Sequence, residues 1–348
     1  MPPKVTLIWL NFNSMHIKPL IEESLAALAA INYPNRDIIL VDNGSTDGSF
    51  ELIEDFAASN SKAGQGQLRV VRNEQNLGFV GGMNSGFRAR DKDSTYCALV
   101  NNDAVIRPDS VNLLVGEMEK DPRLGAVQGV VSNIDGTRVD SAGGIIDELL
   151  APRFLFDGEP LKDFGPMDVS FVEGTFPIYR IEAIESFLKG NIFIQEGDFY
   201  YLEDILNGLM LWNRGYRCAT FPFQVARHHR KATITKYASS IHMDYYLWRN
   251  RNALLAMTDS RYRGRVERAL EKAVVFVYKV QGKGDRASDI SRGLAEGDVL
   301  GETLRAKYGF NIQLSKCPLV KLWDAGVNSR LLMKLVRSKF NLWRIPYV

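Results

Sequence analysis

The sequence predicts an α/β protein with a mixed, mostly parallel sheet and helices on both faces. Short apolar runs of strand length at residues 5–10, 38–41, 68–71 and 98–100 alternate with segments of helical period. These runs are continuous rather than alternating, as expected of strands buried on both faces. Polar clusters follow them, and in open α/β sheets ligands bind beyond the carboxyl ends of the strands.

Composition narrows the class. The chain has 348 residues, 45% hydrophobic and 24% charged, with a net charge of +2, which is ordinary for a soluble globular protein and gives no overall pull toward nucleic acid. No basic stripe with base-stacking aromatics dominates the chain, so no nucleic-acid partner is expected. Cys97, Cys218 and Cys317 are too few and too far apart for a disulfide framework or a zinc ribbon, which points to a reducing, cytoplasmic setting. Met1-Pro2-Pro3-Lys4 leads into an apolar run without the length or cleavage site of a signal peptide, and no apolar run approaches the roughly 18–20 residues of a spanning helix.

In chain order, residues 5–10 end in Asn11-Phe12-Asn13 and are followed by a helix with Ile21, Leu25 and Leu28 on one face. Residues 38–41 end in Asp42-Asn43-Gly44-Ser45-Thr46-Asp47. Asp42 can accept hydrogen bonds from a base N–H or a ribose hydroxyl, while Gly44, Ser45 and Thr46 turn the chain and cap a helix over 50–56. A turn with an N-cap explains the serine and threonine better than it explains Asp42. The third run is interrupted by Arg69. Residues 76–86, NLGFVGGMNSG, read as a glycine-rich loop leading into a helix, where the backbone can approach a ligand closely. The pattern is neither GxGxxG after a first strand nor a Walker loop.

Residues 98–100 break into Asn101, Asn102 and Asp103, so a buried strand ends in oxygen ligands suited to Mg²⁺ or Mn²⁺, with Asp103 as the metal acid and Asn101 two residues earlier on the same side. An Asx turn leading into a helix near Asp109 is the plainer explanation of the same residues.

Residues 131–172 read as short strands and loops, followed by Glu173-Gly174-Thr175 and a helix through Ile181, Ile184 and Leu188. Tyr200-Tyr201-Leu202-Glu203-Asp204 places two acids at the start of a helix reaching Trp212. A carboxylate there can deprotonate a hydroxyl, or simply favour the helix dipole. Two of the four histidines, His228 and His229, stand among Arg227, Arg230 and Lys231. Residues 241–255 read as a helix with Tyr245, Tyr246, Trp248, Leu254 and Leu255 apolar, and 266–348 as further helices. From 305 to 348 cations interleave with apolar residues around a single acid, Asp324, giving a surface suited to anionic lipid or to packing on the rest of the chain.

VDNGSTD, NLGFVGGMNSG and LVNND, in this order and spacing, resemble glycosyltransferase family 2, the inverting nucleotide-sugar enzymes of GT-A fold, and most closely its rhamnosyltransferase-like members. The resemblance covers residues 5–255. It implies that Asp42 contacts the nucleoside, that Asn76 and Gly78 flank the donor, and that Asp103 is the last acid of the metal-binding DxD, whose first acid is here Asn101. It places a small residue, Gly174, beside the donor sugar, and the catalytic base at Asp204 of the ED pair with Glu203. Members often continue EDxDLxxR; Leu206 and Met210 replace the second acid and the arginine here. An HxGGGS-like segment aligns His228 as metal ligand or diphosphate contact and Thr233 as its hydroxyl, without the usual glycines, and Arg230 and Lys231 would neutralise the leaving group. Together with the strand-end residues Asn11, Asn13, Asn43 and Asn102 these complete the expected donor site.

The expectation is therefore a GT-A domain over 1–258 and a C-terminal helical extension over 259–348. It would use a divalent cation, a UDP-, dTDP- or GDP-linked sugar and a glycan or lipid-linked acceptor. The protein would be cytoplasmic, with peripheral contact to the inner face of the membrane through 305–348. A non-catalytic nucleotide-sugar-binding protein and a membrane-docking scaffold are the competing classes.

Overall fold

Strand alternation divides the core. In β1 (Val5–Asn11) the side chains of Val5, Leu7 and Trp9 enter one apolar layer and Ile8 the other. The computed structural model describes residues 2–60, 67–195, 199–230 and 243–321. Lys231, Thr233 and residues 322–348, which carry part of the expected histidine segment and most of the basic C-terminal stretch, lie outside the described residues.

Three βα repeats and a fourth strand follow the predicted order: β1, α1 (Lys18–Ala29), β2 (Arg36–Asp42), α2 (Ser49–Asn60), β3 (Leu68–Arg72), α3 (Gly78–Ala89) and β4 (Tyr96–Asn101). They pair in parallel as β3-β2-β1-β4. Then come β5 (Ala104–Ile106), α4 (Ser110–Lys120) and β6 (Leu124–Asn133). The short strands β7 (Val139–Ser141), β8 (Gly144–Asp147), β9 (Pro152–Phe154) and β10 (Met167–Val169) occupy the region read as strands and loops. β11 (Ile178–Arg180) inserts antiparallel between β4 and β6. It leads through α5 (Ile181–Glu185), which ends before Leu188, to α6 (Glu203–Asn213) and β12 (Arg217–His228), which runs parallel to β6.

Helices cover both faces. Ile21, Leu25 and Leu28 of α1 and Leu114 and Met118 of α4 fill one layer; Met83 and Phe87 of α3 and Ile205 and Leu209 of α6 fill the other. α7 (Met243–Met257) ends the stretch expected as the GT-A domain, and the extension begins with α8 (Arg265–Val280) and α9 (Gly284–Tyr308). It is not wholly helical. Leu314, Cys317 and Leu319 pack on the layer that holds α6, and β13 (Leu319–Val320) adds to β8, where Leu319 meets Ile146.

The glycine-rich stretch proves to be helix rather than loop. Gly78, at φ +70°, is the first residue of α3; Gly82 and Gly86 lie within it, where added Cβ atoms would come 2.5 Å from Leu10 and 2.4 Å from Ile8. Here the glycines let a helix lie close on β1, and only the N-terminal end of the stretch faces the strand ends.

Candidate active site

The strand ends are tied together by asparagine amides. Fully buried Asn11 donates through Nδ2 to Asp42 Oδ1 (3.0 Å), Ser45 Oγ (3.2 Å) and Ser49 Oγ (3.0 Å). Asp42 Oδ2 accepts from the Ser45 N–H at 3.0 Å, and the residue has no exposed surface. Asp42 thus helps to organise this loop through both of its oxygens. Asn43 does the same for the next loop: it donates to Asn76 Oδ1 (2.9 Å) and the Gly78 carbonyl (3.0 Å) and accepts from Asn73 and the Leu77 N–H. Among the residues exposed or half-buried at this end are Asn13, held at φ 45° with its side-chain Oδ1 accepting from the Thr46 N–H, Asn76 and Gly78.

Beyond β4 the chain turns at Asn102 and Asp103, both buried, and enters β5. Asn102 and Asp103 do form a turn, while Asp109 at the start of α4 makes no capping bond through its side chain. The antiparallel register of β5 on β12 sets His228 opposite Ala104, next to Asp103. The register of β12 on β6 sets His228 opposite Asn133, and β7 returns beside β6 carrying Asp140. Three residues far apart in sequence therefore meet. His228 donates through Nε2 to Asp103 Oδ1 at 3.1 Å and through Nδ1 to Asp140 Oδ2 at 2.7 Å. Burial alone would lower the imidazole pKa; the charges of Asp103 and Asp140 overcome it and raise it to about 10. Arg230 also turns to Asp140, with Nε 2.7 Å from Oδ1.

This donor set fits a hard or borderline cation. Asp103 Oδ1 and His228 Nε2 have the 3.1 Å separation of neighbouring ligands that each sit about 2.1 Å from one ion. Asp140 on the other ring nitrogen fixes the tautomer, as carboxylates behind metal-bound histidines do. Among the described residues no group of three such ligands is present.

A second cluster forms at the start of α6. Tyr201 and Leu202 both adopt left-handed backbone, at φ 66° and 67°, strain that bulky side chains carry only where surrounding contacts impose it. Buried Asn250 of α7 supplies such contacts by donating to the carbonyls of Tyr200 and Tyr201. The turn delivers Glu203 and Asp204 to the first turn of the helix. Burial, then the charge of Glu173, pushes the Asp204 carboxyl up to about 7. Burial and the neighbouring charge of Asp204 also push the Glu203 carboxyl well up, and its Oε2 has no hydrogen-bond partner among the described residues.

Glu173 links the two clusters. Its carboxylate accepts from the Thr175 N–H and hydroxyl, and the Thr175 carbonyl accepts from the N–H of Asn101 at 3.2 Å. Between them Gly174 is uncrowded: an added Cβ would find only Phe79, at 3.8 Å. Asp140, Glu173 and Asn250 escaped the sequence reading because each acts through a partner dozens of residues away. Arg249 is buried over the rings of Tyr245 and Tyr246.

The model of the glycosyl transferase family 2 domain matches residues 6–188, over half of the chain. The chain belongs to glycosyltransferase family 2. Over 171 residues this family 2 chain is 25% identical to the poly-beta-1,6-N-acetyl-D-glucosamine synthase of Staphylococcus epidermidis, covering 44% of the chain and 40% of that protein. The Staphylococcus aureus enzyme of the same name (strain COL) is 28% identical over 109 residues, 31% of this chain and 24% of its own. The matches thus span well under half the length of these curated relatives. Among solved structures, the Pyrobaculum calidifontis mannosyltransferase PcManGT, in complex with GDP-Man and Mn2+, superposes with TM-score 0.52 at 20% identity, over 88% of this chain and 79% of that one. S. aureus TarS 1–349 in complex with UDP-GlcNAc gives 0.50 at 14% identity, over 87% and 92%. Both likenesses bear on the fold, which is GT-A.

Proposed function

We propose that the protein is an inverting, metal-assisted glycosyltransferase that moves a sugar from a nucleotide diphosphate to a hydroxyl of a glycan or lipid-linked acceptor. The observation that carries this reading is the meeting of Asp103 and His228, from two strand ends, at 3.1 Å with Asp140 behind the imidazole. Mg²⁺ or Mn²⁺ held by Asp103 and His228 would neutralise charge on the departing diphosphate, commonly worth several kcal/mol. Asn13, Asn76 and the backbone at Gly78 border the nucleotide, within a frame held by Asn11, Asp42 and Asn43; Asn101, Asn102 and Gly174 border the sugar-diphosphate. Arg230 balances the negative charge of Asp140. Asp204 removes the acceptor proton as the oxygen attacks the anomeric carbon in line, and one displacement inverts configuration. Its pKa of about 7 suits a base working near neutrality. Glu203 stands beside it, its carboxyl also raised by burial and by the charge of Asp204.

That the solved neighbours carry GDP-Man with Mn2+ and UDP-GlcNAc supports a nucleotide-sugar donor. No helix among the described residues is long and apolar enough to cross a membrane. The reading places the protein in the cytoplasm, with peripheral membrane contact through 305–348.

Calorimetry with UDP-, dTDP- and GDP-sugars, with Mn²⁺ and with chelator, tests the site. One donor should bind only with metal, and Asp103→Ala should abolish that binding. Binding of no donor under either condition would overturn the reading. Donor binding without turnover of any hydroxyl acceptor would favour the non-catalytic binding protein.

A further inference from the structure

Helix α8 presents its apolar side to solvent and its acids to the protein. Leu270, Phe276 and Val280 are 40%, 65% and 70% exposed, while Glu267 and Glu271, the only acids of the helix, are 5% and 8% exposed. Tyr278 joins them on the inward side, packed with Trp248 and Ile290. At 100° per residue, Ala269, Ala273, Phe276 and Val280 form one stripe, and Arg268, Lys272 and Lys279 line its edge. These three cations are exposed, make no ion pair with a described residue, and share a groove between α8 and α9 with Phe276; Glu271 is the one acid in its lining.

We propose that this face of α8 is a docking surface for an anionic lipid bilayer, lying in the interface with Phe276 and Val280 inserted and the three cations at the headgroups. An apolar stripe bordered by lysine and arginine is the pattern that binds such interfaces, the long cationic side chains reaching back to the phosphates. Charge decides against the other occupants. A second copy of the chain would bring cation against cation. Residues 322–348 of this chain carry five lysines and arginines and only one acid, so they repel the same edge and are attracted to the same anionic surface.

The inference does not rest on transferase activity and is read by binding alone. The full chain is floated with vesicles of phosphatidylcholine and with vesicles also containing phosphatidylglycerol. It should bind only the second kind. Phe276→Ser with Val280→Ser should lower partitioning about tenfold or more, and Lys272→Gln with Lys279→Gln about fivefold per charge removed. Unchanged thermal unfolding would show that these exposed substitutions leave the fold intact. Lys334→Gln with Lys339→Gln should leave the dependence on α8 in place. Binding insensitive to both α8 pairs, or lost only in the Lys334/Lys339 variant, would overturn the proposal. So would concentration-dependent self-association abolished by Phe276→Ser, which would assign the face to a second copy.

Discussion

Asp204 is a residue whose ionisation works against the fold that holds it. In an unfolded chain its carboxyl ionises near its ordinary value of 3.8; in the folded protein burial and Glu173 hold it protonated to about pH 7. Between those values the folded state binds the extra proton, so this group's contribution to stability falls as pH rises, with the full penalty above pH 7. Asp204→Asn removes that penalty. It should raise unfolding stability at pH 8 by on the order of 1–3 kcal/mol while lowering turnover about 10²–10⁴-fold. Denaturant unfolding at pH 8 and pH 5 checks this: the gain should shrink at the lower pH, and equal destabilisation at both would refute the buried-base account. Glu173→Gln deletes one cause of the raised pKa. The acid limb of kcat/KM should move to lower pH, and an unmoved limb would show that Glu173 does not act on Asp204.

At the scale of elements, the position of Asp204, the proposed base, depends on how closely α6 can lie against the segment before Glu173. Gly208, one turn after Asp204, fixes that distance: an added Cβ would stand 2.2 Å from the Ser170 carbonyl oxygen and 2.8 Å from Phe171 Cα. Both obstacles are backbone and cannot rotate away. Gly208→Ala should therefore cost about 1–3 kcal/mol of stability and reduce turnover, although alanine in an unhindered helix would add about 1 kcal/mol. A higher melting temperature would show that the helix has room.

The same elements show what the sequence could reveal. Strand ends were legible because Asp42 and Asn101–Asp103 interrupt apolar runs, and Glu203-Asp204 stood out at a helix start. The partnership of His228 with Asp140 was not, because it depends on the registers of β12 on β6 and of β7 beside β6, which no local pattern encodes. Nor was the packing use of Gly82 and Gly86, since a glycine that admits a ligand and one that admits a strand look alike in sequence. The antiparallel insertion of β11 is likewise set by its neighbours rather than by three residues, Ile178–Arg180.

Across the whole molecule, the C-terminal helices buttress the turn that leads into Glu203 and Asp204. Gly293, Gly297 and Gly301 recur every fourth residue on α9, and added Cβ atoms would lie 2.5, 2.4 and 2.5 Å from the carbonyl oxygens of Tyr245, Arg249 and Ala253 on α7. The two helices therefore meet backbone to backbone. Asn250, beside Arg249, holds the Tyr200 and Tyr201 carbonyls, and those residues lead directly into Glu203 and Asp204. Displacing α9 must move α7, and moving α7 loosens a turn whose left-handed residues do not hold themselves. Gly297→Ala should cost about 1–3 kcal/mol and, at temperatures where the variant stays folded, lower kcat about tenfold or more. With Asp204 less enclosed, the acid limb of the pH profile should move down as well, a change that mere loss of folded protein cannot produce. A destabilised variant with unchanged kcat and pH profile would show that the extension supports the fold without reaching the base.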